Sequence, residues 1–190
     1  MSLYPAALGP ALADVRLLAL DVDGVLTDGA LYYGAEGELL KAFNVLDGLG
    51  IRLLGYADVE VAVITARRAP ALERRLRDLS ITQALYGVEN KGHALESLMS
   101  KLGLVPSQVA FVGDDLLDLP AFSRAGVAIT VPNAHAMIRR RADWITHAGG
   151  GHGAVREIAD ALLAARDALD DACRRLLSDV GESAEHQPPR

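Results

Sequence analysis

Two short segments carry closely spaced carboxylates. Asp21 and Asp23 stand two apart in DVDGVLTD, and Asp114, Asp115 and Asp118 crowd into GDDLLD. Carboxylates brought that close repel one another and call for a cation. An all-oxygen donor set suits Mg2+, which takes one or two carboxylates together with waters and a substrate phosphate. A carboxylate beside such a metal can attack phosphorus and form an acyl phosphate. The metal neutralises the phosphoryl oxygens and aligns the attack. A second Asp two residues on, in a tight turn, can protonate the leaving oxygen and later deprotonate the hydrolytic water. Any one of these residues alone would read as a turn or helix-cap residue; the combination points to chemistry.

The elements around them decide whether they converge. Each group follows a continuous apolar run: VRLLALDV at 15–22, VEVAVIT at 59–65 and VAFVGD at 109–114, with further runs at 126–131 and 142–146. Such runs bounded by turn signals read as buried parallel strands. Between them, helical spacing appears over 49–57, 69–79, 91–104 and 115–126, with Pro70 placed in a first turn and Gly103 and Gly126 at helix ends. The alternation predicts an α/β, doubly wound (Rossmann-like) parallel sheet. Ligands of such sheets bind outside the carboxyl ends of the strands. Three strand ends thus deliver Asp21 and Asp23, Thr65, and the Asp114 group to one crevice.

One segment breaks the pattern. Residues 30–44 hold two strand-like stretches around Gly34-Ala35-Glu36-Gly37, a β-hairpin signal directly after the first strand. The hairpin, spanning about 29–44, is an insertion at the sheet's C-terminal edge, and there is no room for a large cap domain. Residues 1–14 read as a lead-in with one helical turn, and 154–178 as one long helix or two short ones. The expected organisation is a single domain over 1–180 with a disordered tail at 181–190.

Composition bounds the partners. Apolar residues make up 51% and charged residues 23%, which is globular; at 5% aromatic, aliphatic side chains must fill the core. The net charge of -6 speaks against nucleic acid as the main partner while leaving a small anion possible. The single cysteine, Cys173, rules out an intramolecular disulfide. No signal-peptide pattern and no apolar stretch of ~20 residues is present, so no membrane contact and a cytoplasmic location are expected.

DVDGVLTDG resembles the first motif of the haloacid dehalogenase-like superfamily. VIT matches the second, Lys91 can serve as the third, and GDDLLD matches the fourth, all in the family's order across residues 19–118. A closer resemblance runs from about residue 15 to 168. It is carried by LLALDVDGVLTDG, LYYGAEGELLKAFN, LDGLGIRLL, VAVIT, GVENK, VAFVGDDLLDLP and GGGHGAVREI. These look like the 3-deoxy-D-manno-octulosonate 8-phosphate phosphatases, the capless subgroup. That resemblance implies an Mg2+-dependent phosphatase of a phosphorylated sugar acid, working through an aspartyl phosphate and feeding lipopolysaccharide synthesis. It also implies a homotetramer whose hairpins meet at the centre and whose active sites are completed by neighbouring subunits.

Carried over by position, Asp21 would be nucleophile and metal ligand. Asp23 would be the acid/base, with its backbone carbonyl on the metal. Asp114 would ligate Mg2+ directly, and Thr65 and Lys91 would hold the phosphoryl oxygens. Asp115 and Asp118 would support the site from behind these ligands. Asn44, Asp47, Gly48, Arg52, Arg67, Arg75 and the loop residue His152 would contact substrate. Lys91 opens a helix, where a Lys is electrostatically unhelpful, which favours an anion-facing role. Arg52 and Arg75 fit a solvated helix face equally well, and Asp47 could cap a helix beginning near Gly48. Gly149–Gly151 and Gly153 suggest a flexible loop. Leu46 and His152 stand where the family often has Arg, and Ala66 where it often has Gly. A sister phosphatase acting on a nine-carbon sialic-type acid is an alternative. A non-catalytic oligomerisation module would be expected to lose Asp21 or Asp114, and a phosphomutase needs a larger cap to exclude water.

Overall fold

The structure, a computed structural model, describes residues 3–185. A 3-10 turn over Ala6–Leu8 leads into α1 (Gly9–Asp14) and β1 (Leu17–Leu20). The hairpin follows as β2 (Tyr32–Gly34) and β3 (Gly37–Leu40), then α2 (Val45–Gly55), β4 (Glu60–Ile64), α3 (Pro70–Asp78), β5 (Gln83–Leu85), α4 (Lys91–Leu102) and β6 (Val109–Val112). The chain continues through α5 (Leu119–Phe122), β7 (Val127–Thr130), α6 (Ala136–Arg139), β8 (Trp144–Ile145), α7 (Ala154–Ala165) and α8 (Leu169–Glu185). Six strands form a parallel sheet in the order β5-β4-β1-β6-β7-β8, and β2-β3 stand apart as an antiparallel pair. The chain leaves β1 toward β4 and β5, then returns to build β6, β7 and β8 on the other side. The switch point therefore lies at the carboxyl end of β1, between β4 and β6.

Burial on both faces explains the unbroken apolar runs. All four residues of β1 are buried. Leu18 and Leu20 join the core with Leu53 and Leu54 of α2, Leu72 and Leu76 of α3, and Ile158 and Leu162 of α7. Leu17 and Ala19 join the opposite core, with Leu95 and Met99 of α4, Phe122 of α5 and Ile138 of α6. Among the described residues no helix is long and apolar enough to cross a membrane.

Three boundaries differ from the sequence reading. β5 was not foreseen: it is a three-residue, half-buried edge strand, too short for a clear period. The helix expected over 115–126 is a 3-10 turn at Leu116–Asp118 followed by the short α5, with Pro120 in its first turn. The C-terminal segment, read as one long helix or two short ones, is two helices separated at Asp167, which has φ 54, and the difference lies in where the second ends. α8 continues to Glu185, inside the segment expected to be disordered; residues 186–190 lie outside the described residues.

The start of α2 also moves. It begins at Val45, where Asn44 Oδ1 accepts the backbone N–H of Leu46 at 2.8 Å. Asp47 is thus inside the first turn and does not cap its own helix. Its buried carboxylate instead reaches α7, where Oδ1 accepts the backbone N–H of Arg156 at 2.9 Å. Gly50 lets the two helices approach: a Cβ there would lie 3.0 Å from Arg156 Cα. Removing a capping carboxylate costs about 1–2 kcal/mol. Asp47→Ala should lower the melting temperature accordingly in thermal denaturation, and Asp47→Asn, which keeps an acceptor oxygen, should lose less. Equal melting temperatures for all three proteins would refute the cap.

Candidate active site

The crevice at the switch point is built from three strand ends. Beyond β1, Asp21 continues the ladder by donating its N–H to Val112 O at 2.9 Å. The chain then coils tightly, with the N–H groups of Val25, Leu26 and Thr27 all directed at Val22 O. Gly24 adopts φ +91, and a Cβ on it would sit 2.0 Å from Asp114 Oδ2. The turn conformation and the clearance for Asp114 both require glycine there. Beyond β6, a Cβ on Gly113 would lie 2.4 Å from Asp118 Cγ, so this glycine gives Asp118 its space. Asp118 is fully buried. Its Oδ2 accepts the N–H groups of Asp114 at 2.9 Å and Asp115 at 3.2 Å, and its Oδ1 receives Lys91 Nζ at 2.5 Å. Lys91 Nζ also lies 2.8 Å from Asp21 Oδ1.

Carboxylate oxygens of Asp21, Asp114 and Asp118 come within 4.8 Å of one another. Burial, reinforced by Asp118 and opposed by Lys91, pushes the Asp21 carboxyl up to about 6. Burial, then Asp21 and Asp118, pushes Asp114 up to about 7. For Lys91, burial acts to lower the pKa, but Asp21 and Asp118 outweigh it and hold the ammonium above its ordinary value. One ammonium facing three acids leaves a deficit of positive charge. A hard divalent cation with oxygen ligands fits that deficit. Asp118 already has both oxygens engaged, so Asp21 and Asp114 are the side chains left to hold it.

The remaining expected residues divide. Thr65 is buried at the end of β4, its Oγ1 accepting the N–H of Arg67 at 3.2 Å. Arg67 turns to the hairpin, bonding Glu38 Oε2 at 2.9 Å and Tyr33 Oη at 3.1 Å. Asn44 caps α2 and also donates through Nδ2 to Gly151 O at 3.3 Å. Arg75 donates to Asn44 O at 3.2 Å and lies over the Phe43 ring, and a Cβ on Gly48 would be 2.3 Å from its Nη2. Arg75 and Gly48 thus brace the start of α2, and Asp47 braces α7. Two residues are not brought in. Arg52 is exposed and lines a separate cleft with Tyr56, Asp78 and Arg175, two turns along α2 from Asn44. Asp115 is exposed and only caps the following turn, accepting the N–H of Leu116 at 2.7 Å.

The glycine-rich loop is packed, not a loose linker. Gly151 N donates to Val25 O at 2.9 Å, Gly150 N donates to Asn133 Oδ1 at 3.0 Å, and a Cβ on Gly150 would lie 1.7 Å from Gly24 O. This close approach places the loop against the Asp21–Asp28 turn, with the His152 side chain exposed. Sequence reasoning missed two residues, Lys41 and Glu38. Lys41 is bonded to Asp23 Oδ1 and lies 2.9 Å from Glu38 Oε1. The available signal was a Glu and a Lys three apart on a hairpin inserted directly over the crevice.

The acidic cluster has a measurable consequence. Asp21 and Asp114 keep protons in the native chain that the unfolded chain has already lost. The metal-free protein therefore loses this stability as pH rises from about 4 to about 7. A cation must displace those protons to bind. Saturating Mg2+ should raise the melting temperature more at pH 8 than at pH 5; an equal rise at both would refute the assignment.

Comparison with known proteins agrees with this geometry. A family model described as haloacid dehalogenase-like hydrolase matches residues 87–158. The 3-deoxy-D-manno-octulosonate 8-phosphate phosphatase of Escherichia coli (strain K12) is 49% identical over 171 residues, covering 86% of this chain and 91% of that protein. The crystal structure of the phosphatase of that name from Yersinia pestis superposes with a TM-score of 0.85 at 45% identity, over 87% of this chain and 89% of that one. The enzyme from Moraxella catarrhalis, solved in complex with a magnesium ion, a phosphate ion and a KDO molecule, gives a TM-score of 0.86 at 39% identity, over 90% and 98% of the two chains. With nearly half the residues shared over nearly the full length, and an acidic cluster at the switch point, the chain belongs to the 3-deoxy-D-manno-octulosonate 8-phosphate phosphatase family of haloacid dehalogenase-like hydrolases.

Proposed function

We propose that the protein is an Mg2+-dependent phosphatase that hydrolyses 3-deoxy-D-manno-octulosonate 8-phosphate to the free sugar acid and phosphate, in the cytoplasm, for lipopolysaccharide synthesis. The observation that carries this reading is the buried Asp21–Lys91–Asp118 chain beside Asp114, short of positive charge at the mouth of the sheet. The substrate follows the relatives that share nearly half the sequence.

In this reading Asp21 and Asp114, with the backbone carbonyl of Asp23, would hold Mg2+. When bound, the metal supplies charge neutralisation of the phosphoryl oxygens and alignment of the in-line attack. Asp21 attacks phosphorus while Asp23 gives its proton to the departing sugar oxygen. The same Asp23 then takes a proton from the water that cleaves the aspartyl phosphate. Lys91 and Thr65 face the phosphoryl oxygens, and Asp118 keeps Lys91 in place. Arg67 and the loop bearing His152 border the open side, where the sugar acid would lie. Asp21→Asn should leave the melting temperature near that of the parent and reduce phosphate release from the sugar phosphate by roughly 10³-fold or more. A folded Asp21→Asn protein with substantial turnover would overturn the covalent mechanism.

We also propose a homotetramer. The hairpin leaves Leu31, Tyr33, Leu39 and Leu40 exposed, and Val45 and Leu46 beside it, at 78% and 51%, are open as well. An isolated two-stranded hairpin is marginal in water, and this much contiguous apolar surface favours assembly. Light scattering at micromolar concentration should give four times the chain mass, and a monomer would refute it.

A further inference from the structure

A closed ionic ring lies beside Asp23, outside the acidic metal cluster. Four side chains from three stretches of chain form it. Lys41 Nζ bonds Asp23 Oδ1 and lies 2.9 Å from Glu38 Oε1. Arg67 Nη2 donates to Glu38 Oε2 at 2.9 Å, and Arg67 Nε lies 3.5 Å from Asp23 Oδ2, an ion-pair distance without a hydrogen bond. Each carboxyl group meets both cations, and the ring becomes neutral when Asp23 has given up its proton.

The Lys41 side chain is only 2% exposed. Burying an ammonium is costly, and an apolar side chain of similar size commonly stabilises a fold as well or better. A stability role therefore gives little reason for a lysine at this place. Its contact gives a better one. A carboxyl that hands its proton to a departing oxygen must be held at a fixed angle, and must then carry the charge left behind. Lys41 on one oxygen and Arg67 facing the other would meet both needs. Glu38 ties the two cations together, so that neither is drawn off to an incoming phosphate.

We propose that Lys41 and Glu38 of the hairpin are positioning residues for proton transfer by Asp23. This rests on the reading of Asp23 given above as the acid of the reaction. As the phosphorus–oxygen bond to the sugar breaks, its electron pair stays on the sugar oxygen. That oxygen takes the Asp23 proton, and the carboxylate so formed remains inside the ring.

The test uses two phosphates of nearly the same shape and different leaving groups. Phenol is about as basic as tyrosine, near 10, and its departure needs a proton. The p-nitrophenolate ion is much less basic and departs without one. The kcat/KM value reports steps only through cleavage of that bond, so hydrolysis of the intermediate does not enter. Lys41→Met should lower kcat/KM for phenyl phosphate by about tenfold or more, and for p-nitrophenyl phosphate by about threefold at most. Asp23→Asn should show the same selectivity with a larger loss. Glu38→Gln, which keeps the shape and removes the charge, should show it with a smaller loss and serves if Lys41→Met does not fold. If Asp23→Asn is selective but the folded Lys41 and Glu38 variants lose both substrates equally, the positioning role is overturned. If Asp23→Asn itself is not selective, the assignment of Asp23 as acid fails, and this proposal with it.

Discussion

A single buried ammonium governs the arrangement of the crevice. Lys91 stands between Asp21 and Asp118, with Asp114 held against the same cluster. Without it, three carboxyl groups would share one low-dielectric space with no positive charge between them, and they would hold their protons to still higher pH. The placement of Lys91 follows from ordinary local rules. Asn90 caps α4 by accepting the N–H of His93 at 3.1 Å, which fixes Lys91 as the first helical residue with its side chain turned toward the sheet. The helix end is a poor place for a cation, and the neighbouring carboxylates offset that cost. Gly24 and Gly113 complete the arrangement by omission, since a methyl at either position would displace Asp114 or Asp118.

The hairpin has two chemically different sides. Glu38 and the following Lys41 meet Asp23 and Arg67, while Leu31, Leu39 and Leu40 stay exposed. An autonomous hairpin domain would be expected to turn its apolar face toward the body of its own chain. A short insertion thus reaches the crevice and leaves an exposed apolar surface within the same few residues.

Much of this was legible in the sequence because its signals are local. The runs that became β1, β4, β6 and β7 are continuous and apolar, and their carboxyl ends carry the reactive groups. The sheet rule that gathers those ends then places Asp21, Thr65 and Asp114 together. The parts that were not legible depend on partners distant in the chain. Asp47 looked like a cap for its own helix, and its actual partner is Arg156 N, 109 residues on. Arg75 read equally as solvated or as substrate-facing, and it braces Asn44 through a carbonyl. Lys41 carried no signal of its own because a lysine beside a hairpin ordinarily faces water. Arg52 and Asp115 shared a motif-like neighbourhood with residues that line the crevice, but the helix turn and the 3-10 turn direct them outward.

The seating of the glycine-rich loop bears on how the chain is made. Gly151 closes on Val25 at 2.9 Å, and Gly150 leaves no space for even a methyl against Gly24. The turn after β1 therefore receives its outer wall from residues synthesised about 125 positions later. Helix α2 waits 109 residues for Arg156. A ribosome that has delivered every acidic residue of the site has still not delivered the surface that holds their turn in shape. Such a partial chain exposes the edge of a parallel sheet that still lacks β7 and β8. A chain cut before residue 151 would also lack α7, whose buried Ile158 and Leu162 fill the core, so the expected loss is of the fold and not merely of rate.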